Sequence, residues 1–217
     1  DADGDGIQDP DEAPIPGVTM NLYAADGTTL LATVVTDANG QYYFNDATPA
    51  VGGGLLTVEP NTDYVIRVDD PDDYAAGGPL AGLGLTIEDQ GTDIADSDAV
   101  STAGFPQIDV STGGPGENDH TLDVGFEPKY RIGSLVWEDL DDDGSADPGE
   151  TPIPGVTVQL LDAAGNVIDT TTTNGLGEYE FDDLDAGDYR VRVPGGQAPL
   201  DGLRTSGTPD ADADNGD

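Results

Sequence analysis

Leu135-Val136-Trp137-Glu138-Asp139-Leu140-Asp141-Asp142-Asp143-Gly144-Ser145-Ala146-Asp147-Pro148-Gly149-Glu150 runs on into Thr151-Pro152-Ile153-Pro154-Gly155-Val156-Thr157-Val158. An apolar, strand-like segment enters a loop crowded with carboxylates, and an alternating strand follows. Calcium takes six to eight oxygen ligands, and a loop of about 12 residues can supply them from positions 1, 3, 5, 7, 9 and 12, with glycine at position 6 for the sharp turn. Here those positions are Asp139, Asp141, Asp143, the Ser145 carbonyl, Asp147 and Glu150, with Gly144 at the turn. Pro152 and Pro154 forbid an exiting helix, so the loop joins two strands and is not a helical EF-hand.

The same stretch occurs once more. Asp1-Ala2-Asp3-Gly4-Asp5-Gly6-Ile7-Gln8-Asp9-Pro10-Asp11-Glu12 aligns with 139–150 without a gap. Its ligand set is Asp1, Asp3, Asp5, the Ile7 carbonyl, Asp9 and Glu12, with Gly6 at the turn. An acidic turn in a very acidic chain is the plain alternative. All five carboxylate positions and the glycine are filled in both copies, which favours a metal, and the all-oxygen donor set favours Ca2+ over Mg2+. Without a cation the crowded carboxylates repel one another.

The repeat extends beyond the loop. Pro14-Ile15-Pro16-Gly17-Val18-Thr19 matches 152–157, Gly40-Gln41-Tyr42-Tyr43-Phe44 matches Gly177-Glu178-Tyr179-Glu180-Phe181, and Tyr64-Val65-Ile66-Arg67-Val68 matches Tyr189-Arg190-Val191-Arg192-Val193. Its length of roughly 130 residues is that of a domain. The reading is two domains, 1–128 and 129–217. The first lacks the counterpart of 131–138, its first strand; the second lacks its C-terminal strands. Two expectations follow. If the chain is a window on a longer array, more repeats flank it; if it is complete, the unpaired edges invite strand donation, head to tail, between identical subunits. The first copy also carries an insertion at 46–61, around Gly52-Gly53-Gly54.

Val18, Met20 and Leu22, and likewise Val156, Val158 and Leu160, alternate with their neighbours in the period of a half-buried strand. Ile66 with Val68, Val191 with Val193, and the run Leu122, Val124, Phe126 read the same way. Ala25-Asp26-Gly27 and Asp37-Ala38-Asn39-Gly40 punctuate them as turns. The fold class is all-β, one sandwich per copy. Only 35% of residues are hydrophobic and 6% aromatic, which supports small cores rather than one large one. Pro128, between the last strand of one copy and the first of the next, favours a stiff joint.

The formal net charge is −39, from 45 acidic and 6 basic residues. Nucleic acid and anionic membrane surfaces are poor partners, since both call for clustered Lys and Arg, and no nucleic acid is expected to bind. No apolar run approaches membrane-spanning length. Cysteine is absent, which rules out disulfides and thiolate metal sites. No signal peptide is visible, and the opening at Asp1 leaves room for a cleaved or omitted upstream region.

A second acidic cluster, Asp93, Asp96 and Asp98 with Asp210, Asp212 and Asp214 in the second copy, is a weaker calcium candidate or a solvated surface.

Taken together, Leu135-Val136-Trp137-Glu138 running into the acidic loop, Pro152-Ile153-Pro154-Gly155-Val156, Asp93-Ile94-Ala95-Asp96-Ser97-Asp98 and Leu122-Asp123-Val124-Gly125-Phe126 resemble the SdrD B-like, Cna-B-related repeat of bacterial surface adhesins. The resemblance implies tandem immunoglobulin-like or prealbumin-like β-sandwich domains that bind calcium. It also implies an extracellular place, as a cell-surface stalk or secreted filament, with neighbouring repeats or identical subunits as partners. Some Cna-B domains carry a Lys–Asn cross-link; with Lys129 as the single lysine, this chain cannot form one in every copy.

No catalytic residue is assigned. His120 is the single histidine and has no nucleophile partner in the sequence, and no phosphate loop or nucleophile elbow is present. An adhesive module binding carbohydrate or a partner protein is the alternative function. Trp137, if exposed, and the 46–61 insertion are its places to look.

Overall fold

The computed structural model describes residues 1–92 and 95–205. It divides into two units, Asp1–Lys129 and Tyr130–Asp217. In the first, β1 (Thr19–Ala24), β2 (Leu30–Val35), β3 (Asp63–Arg67), β4 (Leu83–Leu85), β5 (Val100–Thr102), β6 (Phe105–Ser111) and β7 (Phe126–Pro128) form a five-stranded sheet, in the order β2-β1-β3-β6-β5, and a separate β4–β7 pair. A single helical turn, α1 (Pro71–Tyr74), is capped by the Asp70 side chain. The core lies between these layers: Val18, Met20, Leu22, Ile66, Ile108 and Phe126 are buried, with Leu83, Leu85, Leu122 and Val124 packed on them.

The second unit contains β8 (Tyr130–Leu135), β9 (Trp137–Glu138), β10 (Thr151–Pro152), β11 (Thr157–Leu161), β12 (Val167–Thr172), β13 (Glu178–Leu184) and β14 (Arg190–Arg192). Its sheet runs β12-β11-β14; β13 pairs with β8 and β10 with β9, all antiparallel. Val156, Val158, Leu160 and Phe181 are at most 1% exposed, and Ile132, Val136 and Tyr179 pack against them. Burying one such side chain stabilises by about 1.5–3 kcal/mol. The fold is therefore all-β, built of immunoglobulin-like sandwich units.

The two units use the same local chemistry. The β1–β2 and β11–β12 hairpins each shift register once, at Leu22/Tyr23 and at Leu160/Leu161. The Thr36 hydroxyl accepts the Val18 N–H at 2.9 Å and donates to the Ile15 carbonyl at 2.8 Å; Thr173 does the same for Val156 and Ile153 at the same distances. Asp37 and Asn174 close matching turns, each accepting two backbone N–H groups at 2.8 and 3.1 Å. The Tyr42–Phe44 and Tyr179–Phe181 rings meet edge to face at 5.9 and 6.0 Å.

Two expectations need adjusting. Strand structure covers Phe126–Pro128 but not 122–125, whose backbone is fastened instead by other groups: the Asp98 carboxylate accepts the Asp123 N–H and the Ser97 hydroxyl the Gly125 N–H. Val191 and Val193 lie on a strand pattern yet are 39% and 41% exposed. Among the described residues β14 pairs with β11 alone, whereas its counterpart β3 is flanked by both β1 and β6. Of the six basic residues, Arg67, Arg131, Arg190 and Arg192 sit within strands and Lys129 directly between β7 and β8; only Arg204 lies clear of them.

Candidate functional site

In each acidic loop the first Asp and the last Glu are turned inward to backbone N–H groups, which organises the loop before any ligand is considered. Asp1 accepts the N–H groups of Gly4 and Gly6 at 2.7 and 2.8 Å; Asp139 accepts those of Asp142 and Gly144 at 2.7 and 2.9 Å. Glu12 accepts the N–H groups of Ala2 and Asp9, and Glu150 those of Leu140 and Asp147. Asp5 and Asp143 each accept the N–H two residues on, from Ile7 and Ser145, at 2.9 and 2.8 Å. Gly6 and Gly144 have φ of 83° and 86°, the left-handed region where glycine is free of the Cβ clash.

This scaffold gathers charge. Carboxylate oxygens of Asp1, Asp3 and Asp5 lie within 4.8 Å of one another, as do those of Asp139, Asp141 and Glu150, and of Asp141, Asp143 and Asp147. In the first loop Asp9 and Glu12 stand outside the trio, and Glu12 lies 3.8 Å from the Asp1 amino group. The electrostatics register the crowding. The charge of Asp143, with burial, Glu150, Asp139 and Asp147 behind it, raises the pKa of Asp141 above the usual carboxylate range. Burial, then Asp5 and its other acidic neighbours, does the same to Asp9. For Glu12 burial also pushes upward, but the N–H groups of Ala2 and Asp9 and the Asp1 ammonium outweigh it and the pKa is lowered.

Each loop is tied into its unit. Loop 139–150 is bracketed by the paired strands β9 and β10, with Glu138 opposite Thr151 and Trp137 opposite Pro152. Loop 1–12 is tied down by the Thr86 hydroxyl donating to Asp1, an Ile7–Asp96 bridge, and the Gln8 N–H on the Ala95 carbonyl at 2.6 Å.

That bridge leads to the second acidic cluster. Asp96 is 9% exposed; one carboxylate oxygen accepts the Gly91 N–H at 3.1 Å, and the other, buried, has no hydrogen-bond partner among the described residues. Asp98 accepts the Asp123 N–H at 2.6 Å, and the Asp98 N–H donates to the Asp123 carbonyl at 2.9 Å. Burial, reinforced by the charges of Asp98 and Asp96, pushes Asp123 up to about 6. Asp123 is the member that sequence reasoning missed; its signal was a lone acid inside the apolar alternation Leu122, Val124, Phe126. Asp93, Asp210, Asp212 and Asp214 lie outside the described residues.

The remaining candidates sit apart. His120 is exposed, its ring edge-on to Tyr43 at 5.8 Å. Trp137 is half-buried and part of β9. The 46–61 insertion presents Val51 and Leu55, 55% and 63% exposed. Among the described residues no helix is long and apolar enough to cross a membrane.

The family model for the SdrD B-like domain matches residues 1–126 and 130–217. Serine-aspartate repeat-containing protein F of Staphylococcus epidermidis is 34% identical over 220 residues, covering 100% of this chain and 12% of that protein. The bone sialoprotein-binding protein of Staphylococcus aureus is 37% identical over 232 residues, covering 99% of this chain and 18% of that protein. The chain thus spans less than a fifth of the length of either relative. Among solved structures, a shaft pilin of Lactobacillus rhamnosus GG aligns at 12% identity with a TM-score of 0.29, covering 85% of this chain and 80% of that one.

Proposed function

Because this chain belongs to the SdrD B-like domain family, we propose that its two units are structural repeat modules of an extracellular surface stalk or filament, stiffened by calcium at their acidic loops. One observation carries the calcium reading: both loops pin their first Asp and last Glu by the N–H groups of equivalent positions, and carboxylates crowd together in each, Asp1 with Asp3 and Asp5 in the first and Asp141 with its acidic neighbours in the second. The donors are all oxygen, which fits Ca2+ and disfavours thiolate- or imidazole-seeking metals. Asp1, Asp3, Asp5, Asp9, Glu12 and the Ile7 carbonyl would hold one ion; Asp139, Asp141, Asp143, Asp147, Glu150 and the Ser145 carbonyl would hold the other. A bound cation turns the repulsion into attraction and fastens the two ends of each loop together. In the second unit those ends are β9 and β10; in the first, the fastened loop includes the Ile7–Asp96 bridge. Asp96, with Asp98 nearby, is the weaker candidate, supported by the unpartnered Asp96 oxygen; unlike the acidic loops, Asp96, Asp98 and Asp123 do not converge as one ligand group among the described residues.

Calorimetric melts with calcium and with a chelator test the reading. A ligand at about 100 times its dissociation constant stabilises by about 2.7 kcal/mol, so chelation should lower both transitions by several degrees and added Ca2+ should restore them. Superimposable melts would remove calcium and leave bare structural repeats.

An adhesive module is the second reading, and the exposed Val51 and Leu55 are the observation on its side. Replacing both with Asp leaves a stalk unchanged and abolishes binding by an adhesive tip.

A further inference from the structure

The two units end their sheets on the same strand and treat its free edge differently. Among the described residues β2 and β12 are the outermost strands of their sheets, and their registers align them: Ala32 lies opposite Leu22 as Asp169 lies opposite Leu160. The Thr173 N–H donates to the Val156 carbonyl at 2.9 Å, as that of Thr36 does to Val18. By the alternation of an antiparallel pair, Ile168, Thr170 and Thr172 therefore turn their N–H and C=O groups away from β11. In the first unit the 46–61 insertion lies over this edge: the Val51 N–H donates to the outward Leu31 carbonyl at 2.8 Å, Ala50 bridges to Ala32, and Ala32 is fully buried. The second unit has no such insertion, since residues 185–189 alone join β13 to β14. Val167 and Ile168 are 44% and 50% exposed, and the Thr170 N–H is held by its neighbour, the Asp169 carboxylate, at 2.6 Å.

We propose that the outer edge of β12 is a self-association site, which takes β12 of a second copy of this chain in antiparallel register, Thr170 opposite Thr170. Three observations favour that occupant. A row of outward backbone groups is a template for another strand, and two copies of this edge satisfy each other about a two-fold axis: Ile168, Thr170 and Thr172 of one copy meet Thr172, Thr170 and Ile168 of the other. In that register Asp169 falls opposite Thr171, so no two acids are directly opposed, whereas an axis on Asp169 would set two carboxylates face to face. Asp169 is also the one charged residue of Val167–Thr172, on a chain of net charge −39, so a second such chain meets little local repulsion along this strand. The Asp169 carboxylate holds the central donor of the edge and must release it, and the charge of the whole chain opposes approach. Pairing is therefore weak in dilute buffer and grows as salt shortens the Debye length to about 3 Å at 1 M. The proposal depends neither on calcium nor on the stalk reading.

The test is sedimentation of the full, metal-free chain over a wide range of concentration, in dilute buffer and in about 1 M NaCl, with amide exchange followed along β12. Pairing predicts a mass that rises from one chain toward two in brine. It also predicts that exchange at Ile168, Thr170 and Thr172 slows by about threefold or more with concentration, while Asp169 and Thr171, already bonded to β11, do not change. Thr170→Pro removes an outward donor and no bond to β11, so it should keep the melt of the second unit and abolish association. Asp169→Ala frees that donor and removes the charge, and should tighten association by about fivefold. A mass of one chain at every concentration in brine, for both the unaltered chain and Asp169→Ala, overturns the proposal, and so does association that Thr170→Pro leaves intact. Should Thr170→Pro disturb the fold, the exchange pattern decides alone: protection that falls anywhere but on Ile168, Thr170 and Thr172 overturns the proposal.

Discussion

Thr36 and Thr173 each close two backbone groups with one hydroxyl, and they do so over partners far along the chain. Valine has nearly the same shape and neither lone pair nor proton. Thr173→Val should therefore leave the Val156 N–H and the Ile153 carbonyl unsatisfied inside the sandwich and cost about 1–3 kcal/mol in urea unfolding of the second unit. Asp123 carries the second prediction at this scale. Its folded pKa of about 6 lies above the ordinary value of 3.8, so the folded state holds its proton more tightly than the unfolded one. Between about pH 4 and 6 the folded chain binds the extra proton, and stability falls as pH rises through that window. Asp9 and Asp141, also raised, act in the same sense and Glu12 in the opposite one. In the metal-free chain the Asp123 carboxyl should titrate near 6 by NMR and drop toward the ordinary range in Asp98→Asn; a midpoint that Asp98→Asn does not move would refute the coupling.

At the scale of the element, the acidic loop is the part most fully written in the sequence. Spacing alone named the glycine that turns and the acids of the loop, because most of their partners lie within the same short segment, but not that Asp1, Asp139, Glu12 and Glu150 accept backbone N–H groups or that Asp9 and Glu12 stand apart from the first loop's trio. Asp143→Ala removes both a candidate ligand and the acceptor of the Ser145 N–H. The calcium-induced rise in melting should be lost in the second unit and kept in the first, read as one displaced transition out of two. What the sequence did not display is chemistry that depends on another segment. Asp123 becomes part of a cluster only because 122–125 lies against Asp98. Val191 and Val193 carry the right alternation, but burial on such a strand comes from flanking strands and a facing layer, and the pattern cannot say whether they are there.

The whole molecule is governed by a net charge of −39. Self-repulsion at that density is long-ranged in dilute buffer and short-ranged in brine, since the Debye length falls from about 10 Å at 0.1 M to about 3 Å at 1 M salt. The metal-free chain should therefore melt at progressively higher temperature as NaCl is raised over that range, and the further gain from calcium should shrink in step; a melting temperature indifferent to salt would mean that the acids are spaced widely enough to ignore one another. The few cations matter by their scarcity as much as by their contacts. An endopeptidase that recognises lysine or arginine needs several residues around its target drawn out flat in its cleft, and here four of the six such targets lie within β-strands and a fifth, Lys129, follows one strand and precedes the next in sequence. Digestion of the native chain by a trypsin-like enzyme should thus begin after Arg204 and proceed no further until a sheet opens, so that a polymer with so little positive charge gains durability in surroundings rich in such enzymes.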